Sequence, residues 1–312
     1  MEKVSVIIAT MNREEELGRC LKSVCEQTVL PMEIVIVDDG VSDPDKIRAM
    51  IPPEIRFQYH RKAPPGLSAS RNLGARVALG DLLLFLDDDV VLEQRYVEEI
   101  VRVFRGDTEH KIGGVCGIIV NPMPKPRLFR CWSRFFLMNR GRQGELLPWG
   151  FYTSVSSGNE VVDVDWVPGG LSCFRREVFE QYSLSNMGQA GRHGLADLEF
   201  SWRVSRHYGL KATPFARLWH YPSSRAREDD LKRGYKQALN HCRLFEAHGR
   251  KDNKTRMSFL WAMTGLILGN LGACWFMRCS RERKARFLLA IGNIKGFAAH
   301  LLDKGRAVLP WL

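Results

Sequence analysis

Three consecutive carboxylates, Asp87-Asp88-Asp89, close the apolar run 82–86. Carboxylate oxygens gathered in this way suit a hard divalent cation, Mn2+ or Mg2+, which keeps some of its waters and accepts phosphate oxygens as further ligands. A second acidic pair, Asp38-Asp39, ends the apolar run 33–37. Asp197 and Glu199 fall in the first turns of a helix predicted over 195–207. Gly169-Gly170, just after Trp166, makes a tight turn where glycine lets the backbone approach a ligand closely. His220, behind the last predicted strand, could complete a metal shell or contact a phosphate, and Arg225 and Arg227 could grip a diphosphate from a closing loop.

These residues must be positioned by the elements around them. Residues 4–9 and 33–37 are β-branched and nearly continuously apolar, as strands buried on both faces are. Residues 10–13 break the first strand, and Leu17, Leu21 and Val24 then recur at helical spacing over 14–27. A short helix over 45–50, a strand over 56–59, a helix over 67–78 and a strand over 81–86 follow. Strand alternating with helix argues for an open α/β sheet with parallel strands, in which ligands sit beyond the carboxyl ends. Asp39 and the Asp87–Asp89 group both fall there. Further on, strands are predicted over 115–120, 172–174 and 217–221, whereas 127–142 mixes Phe, Trp and Arg and reads as a loop or a helix over the site.

Of 312 residues, 46 are Lys or Arg and 35 Asp or Glu, for a net charge of +11. The charge is uneven: residues 1–202 carry −4 and residues 203–312 carry +15. Residues 258–277 are twenty uncharged positions bearing Trp261 and Trp275, with basic clusters on both flanks. Such a run can just cross a hydrocarbon core of ~30 Å, but positive charge on both sides sets no orientation. Apolar helices lying in the interface, or entering and leaving from one face, fit this pattern better; a buried core or dimer helix is the alternative. The eight cysteines show no C-x-x-C spacing and read as reduced structural thiols. The apolar run 4–9 is too short for a secretory signal.

Four segments, residues 4–28, 33–40, 66–76 and 80–90, together resemble the nucleotide-binding half of the family 2 inverting glycosyltransferases of GT-A fold, and 166–179 and 196–203 extend the likeness to about residue 221. The resemblance implies a Rossmann-like mixed, mainly parallel sheet flanked by helices. A catalytic domain would span 1–224, divided into a nucleotide half (1–90) and an acceptor half (91–224), with a basic, apolar helical extension over 225–312 that associates with membrane. By position, Ala9, Thr10, Met11 and Asn12 would form the base-pocket loop, with Met11 where many members carry Tyr. Asp39 would bind the uracil or ribose and Arg71 would approach the diphosphate. Asp87 and Asp88 would lie on the nucleotide side, with Asp89 the metal ligand, joined by His220. Asp197 would be the general base, in a motif where Ala196 replaces an acid, and Gly169, Gly170, Trp166 and Glu199 would line the donor and acceptor cleft.

The expected activity is transfer of a sugar, with inversion, from a nucleotide-diphosphate donor (UDP favoured) to a glycan or lipid-linked acceptor in surface-polysaccharide or glycoconjugate synthesis. The site would be the cytoplasmic membrane face, held on anionic lipid through 225–312, with a homo-oligomer allowed. The alternative is a catalytically impaired sugar-nucleotide-binding or regulatory protein on the same fold. A nucleotidyltransferase lacks its glycine-rich basic loop after residue 8, and the basic tail carries no recognised nucleic-acid motif.

Overall fold

A computed structural model of the chain describes residues 2–155, 158–184, 195–222, 229–250, 252–276 and 279–308. It divides into two units, Met1–Pro122 with Val155–Ser224, and Met123–Ser154 with Arg225–Leu312. The second unit therefore takes in Met123–Ser154 as well as the C-terminal extension, a grouping that differs from a single boundary at residue 224.

The first unit is built on a nine-stranded mixed sheet. Strand β1 (Val4–Thr10) lies between β2 (Glu33–Asp38) and β4 (Leu82–Asp87), parallel to both, and β3 (Arg56–Arg61) extends the parallel run beyond β2. Burial on both faces is why β1, β2 and β4 read as nearly continuous Val, Ile and Leu, whereas β3 at the edge is half-exposed and mostly polar. Helix α1 (Glu14–Cys25) follows β1, with three glutamates in its first turn complementing the helix dipole and Leu17, Leu21 and Val24 buried. Helix α2 (Pro44–Arg48) starts at Asp43, whose carboxylate accepts from the Asp45 and Lys46 amides. Helix α3 (Leu67–Val77) leads into β4.

Beyond β4 the directions mix. Strand β5 (Val90–Leu92) and helix α4 (Tyr96–Arg105) precede β6 (Ile112–Ile119). The short β7 (Val162–Val164), β8 (Leu171–Arg175), α6 (Arg176–Gln181), α7 (Leu195–Ser205) and β9 (Gly209–His220) complete the unit. β8 runs antiparallel between β4 and β6, β6 pairs parallel with β9, and β5 and β7 pair antiparallel with β9. The predicted parallel character thus holds for β3-β2-β1-β4. β9 begins eight residues before the predicted 217–221, because Pro214 and the outward Lys211, Phe215 and Arg217 hide its half-buried alternation. Arg175, nearly buried, ties the far end of the sheet together through Glu2 (3.0 Å), Asp107 (3.2 Å) and the Ile112 carbonyl (3.0 Å).

The second unit holds helices α5 (Arg127–Phe135), α8 (Asp230–His248), α9 (Asn253–Phe276) and α10 (Ser280–Val308). Its core combines Leu147 and Phe151 from the 123–154 segment with Ala238, Cys242, Phe259, Ala262, Met263 and Leu266. α8 and α10 approach closely at Gly234 and Gly292, where a Cβ would strike the backbone of the facing helix. Asn270 and Asn293, polar interruptions of the apolar runs, form a chain: Asn270 donates to the side-chain oxygen Oδ1 of Asn293 at 3.0 Å, and Asn293 donates to the Gly234 backbone carbonyl at 2.8 Å. By length and composition α9 could cross a membrane over Asn253–Cys274, and 33% of that apolar window is buried within the protein.

Candidate active site

The sheet register brings the chemistry-bearing residues together: Ala9 pairs with Asp87 and Thr10 with Asp38, so the ends of β1, β2 and β4 meet at one edge. This is the carboxyl edge expected to bind ligands in an open α/β sheet.

One guanidinium organises the first cluster. Arg71, buried in the second turn of α3, donates to Asp87 Oδ1 at 2.8 Å and to Asp197 Oδ1 at 2.9 Å. Burial works against its charge, but Asp197 and Asp87 more than offset this and raise its pKa above that of an ordinary arginine. The Gly169 amide donates to the second Asp197 oxygen at 3.0 Å, and the Asp87 amide donates to the Gly170 carbonyl at 3.0 Å. The two glycines are required by this closeness. A Cβ on Gly169 would lie 2.3 Å from Asp197 Oδ1, and one on Gly170 2.1 Å from Asp87 Oδ2. Asp87 remains the open member, with 40% of its side chain exposed, against 19% for Asp197.

The second cluster lies beside it. Asp88 turns inward, accepting from Thr10 Oγ1 at 2.9 Å and from Arg13 at 2.8 Å. Burial raises its pKa to about 6, with Arg13 and Thr10 pulling the other way. Asp89 meets Arg13 at 3.3 Å and His220 Nε2 at 3.2 Å. That hydrogen bond lifts the His220 pKa above the usual imidazole value, against its partial burial. Among the described residues no three His, Cys, Asp or Glu side chains converge on a metal position. Asp89 and His220 nonetheless offer an oxygen and a nitrogen side by side. That pair fits a divalent cation which takes its remaining ligands from phosphate and water, and the imidazole suits Mn2+.

The remaining predicted residues take definite places. Asp39 accepts from the Gly66 amide and from Ser70 Oγ, and pairs with Lys62 at 3.0 Å, which fixes the start of α3 against the end of β2. Asn12, at φ 55°, accepts from the Val41 amide at 3.2 Å, joining the loops after β1 and β2. Ala9 and Met11 are half-buried at the same strand end. Trp166 is half-buried ahead of Val167, whose amide donates to Ser201. Glu199 is held by Arg203 through two oxygens and is not among the hydrogen-bond partners of Arg71. Arg225 and Arg227 lie outside the described residues. Arg13 was not singled out from the sequence, although it faces two of the three clustered carboxylates. A cation at the end of the first loop, with three adjacent carboxylates at the end of a neighbouring strand, is the signal that could have found it.

Comparison with known proteins follows the same lines. The family model described as glycosyl transferase family 2 matches residues 5–182. The chain is 25% identical to the uncharacterized glycosyltransferase YwdF of Bacillus subtilis over 81% of its own length and 87% of the relative's. It is 31% identical to the poly(ribitol-phosphate) beta-N-acetylglucosaminyltransferase TarP of Staphylococcus aureus, over 38% of each chain. Several other curated relatives are longer, and the chain spans less than a third of their length. Among solved structures, the mannosyltransferase PcManGT of Pyrobaculum calidifontis, in complex with GDP-Man and Mn2+, superposes with a TM-score of 0.60 at 16% identity, covering 97% of this chain and 88% of that one. That likeness is one of fold.

Proposed function

The chain belongs to glycosyl transferase family 2, and on that premise we propose that it is an inverting glycosyltransferase using a nucleotide-diphosphate sugar. The observation that carries the reading is the Arg71 fork, which holds Asp87 and Asp197 on one guanidinium beside the Gly169-Gly170 turn. A carboxylate on the phosphate side and a carboxylate able to act as base are thereby fixed within one small site.

In this reading Asp39 and the loop of Ala9, Thr10, Met11 and Asn12 bind the nucleoside, with UDP the favoured nucleotide of the donor. Asp87 and Arg71 orient the ribose and diphosphate. Asp89 and His220 would hold the divalent cation, Mn2+ or Mg2+, whose charge stabilises the diphosphate as it leaves. Asp197 accepts the proton of the acceptor hydroxyl as its oxygen bonds to the anomeric carbon. The bond from that carbon to the diphosphate breaks, the nucleoside diphosphate departs, and the configuration inverts in one displacement. The Gly169 amide and Arg71 keep the Asp197 carboxylate aimed.

The acceptor we propose is a glycan, carried on a lipid, in surface-polysaccharide or glycoconjugate synthesis. TarP, named for adding N-acetylglucosamine to poly(ribitol-phosphate), supports that class. The basic, apolar residues 225–312 would hold the enzyme on the cytosolic membrane face, peripherally or monotopically. The test is binding of UDP-, GDP- and dTDP-sugars to the detergent-purified chain, with and without Mn2+, comparing wild type with Asp89→Ala, followed by product stereochemistry on a turned-over acceptor. Metal-dependent binding of one nucleotide class, lost in the variant, is expected. No donor binding by the folded chain refutes the reading. Binding without turnover on any acceptor would favour a sugar-nucleotide-binding protein, disabled at Ala196.

A further inference from the structure

Helix α5 combines two features that a helix of a soluble protein keeps apart. Leu128 and Phe135, seven residues apart and so on one face, are 69% and 65% exposed. Arg127, Arg130 and Arg134, at spacing i, i+3, i+7, form an equally exposed basic strip beside them. The surrounding residues 121–142 hold six basic side chains and no acidic one.

The helix is not loosely attached. Trp132 donates its indole N–H to the Gly265 carbonyl of α9 at 2.9 Å, and Phe136 stacks on Trp261 with ring centroids 4.6 Å apart. Trp261 donates to the Phe135 carbonyl at 2.9 Å, and its ring meets that of Phe135 edge to face. α9 continues the exposed apolar surface along one stripe with Met257, Leu260, Trp261 and Leu268. The two helices thus present one apolar surface bordered by arginine.

We propose that α5 is a lipid-binding helix that inserts Leu128 and Phe135 into an anionic bilayer while Arg127, Arg130 and Arg134 engage the headgroup phosphates. The reading rests on the proposed membrane association and extends it from residues 225–312 to a segment 100 residues earlier in the chain. The charge pattern selects this occupant. A second copy of the chain would bring three further arginines against the three of α5, whereas anionic lipid supplies opposite charge. An amphipathic helix with an apolar face and an arginine flank is the form that lies in the interfacial plane.

The test uses the full chain, delivered from detergent to vesicles of phosphatidylcholine alone or with phosphatidylglycerol. Leu128→Ser with Phe135→Ser should weaken partitioning about tenfold or more on both. Arg127→Gln with Arg130→Gln and Arg134→Gln should lose about a hundredfold on the anionic vesicles and little on the neutral ones. A direct readout comes from Cys131, exposed on the same helix. With Cys25, Cys274 and Cys279 replaced by serine, an environment-sensitive fluorophore on Cys131 should shift to the blue on vesicle binding and be quenched by brominated acyl chains. A vesicle-bound chain whose label stays in water overturns the α5 inference and leaves the membrane role of residues 225–312 standing. No vesicle binding at all, with donor binding intact, overturns both without touching the transferase reading. If the apolar variant abolishes self-association and leaves vesicle binding unchanged, the surface belongs to a second copy and the proposal falls.

Discussion

Gly170→Ala offers the sharpest test of the site, because its effect is steric and local. The backbone at Gly170 lies outside the left-handed region, so alanine meets no conformational strain. Its Cβ, however, would sit 2.1 Å from Asp87 Oδ2, 2.2 Å from Cγ and 2.6 Å from Oδ1. Ordinary contact begins near 3.4 Å, so the carboxylate must swing by about 1 Å or more and abandon its 2.8 Å bond from Arg71. A hydrogen bond between charged groups contributes about 1.5–3 kcal/mol, which corresponds to a loss of about 10- to 150-fold. Asp87 is open enough to turn into water, so the loss should appear in donor affinity and in kcat/KM, and the unfolding free energy should fall by up to the same amount because buried Arg71 gives up one of its two partners. Calorimetric donor titration, initial rates and denaturant unfolding measure the three. Gly272→Ala is the control: nothing lies within 4 Å of its Cβ position, and alanine in the interior of α9 should stabilise by about 0.5–1 kcal/mol without changing the rate. Donor affinity and kcat/KM within twofold of wild type in Gly170→Ala would show that the Arg71–Asp87 contact does not organise donor binding.

Asp197→Asn should lower kcat at least about a hundredfold while donor binding persists; a mild loss of rate would remove Asp197 as the base. Arg175→Met leaves Asp107 without its buried partner and should cost about 3 kcal/mol in denaturant unfolding, whereas a loss under about 1 kcal/mol would mean the sheet end is held by packing. His241 is half-buried and stacked on Phe151, and desolvation lowers its pKa to about 4, below the usual 6.5. The folded state therefore binds fewer protons than the unfolded one between those values, so stability is full above pH 6.5 and falls as the pH drops toward 4, by about 2 kcal/mol at pH 5. His241→Phe should flatten that part of the pH–stability curve, and an unchanged slope would place the titration elsewhere.

The central strands were legible because their physics is local. β1, β2 and β4 are buried on both faces and are apolar at nearly every position, and each ends at Thr10, Asp38 or Asp87, where the polar loop residues begin. β9 was only partly visible, since a half-buried strand containing Pro214 has neither continuous apolarity nor clean alternation. The three-residue strands β5 and β7 carry too few positions for any period, and their pairing with β9 is decided by residues far away in sequence. The same holds for 127–142: a helix could be read from its composition, but its attachment to α9 depends on Trp132 finding Gly265, a pairing that no spacing announces.

Within the site, the sequence supplies the carboxylates and tertiary structure divides their labour. Asp87, Asp88 and Asp89 are chemically identical and adjacent, yet each meets a different set of partners. Asp87 faces Arg71, Asp88 is buried against Thr10 and Arg13, and Asp89 lies between Arg13 and His220. Four carboxylates, counting Asp197, are thus served by two arginines, one in the loop after β1 and one in α3. Arg13 faces both buried members, Asp88 and Asp89, and His220 faces Asp89, which leaves the exposed edge of Asp87 as the open acidic group. In the proposed reading, a divalent cation beside Asp89 and His220 would make this edge electrostatically suited to a diphosphate. Removing Arg13 should then do more harm than its place outside the recognised motif suggests, because Asp88 would be left buried with Thr10 as its remaining hydrogen-bond donor. Relieving that charge would require either protonation of Asp88 or displacement of the loop that carries Thr10, Met11 and Asn12.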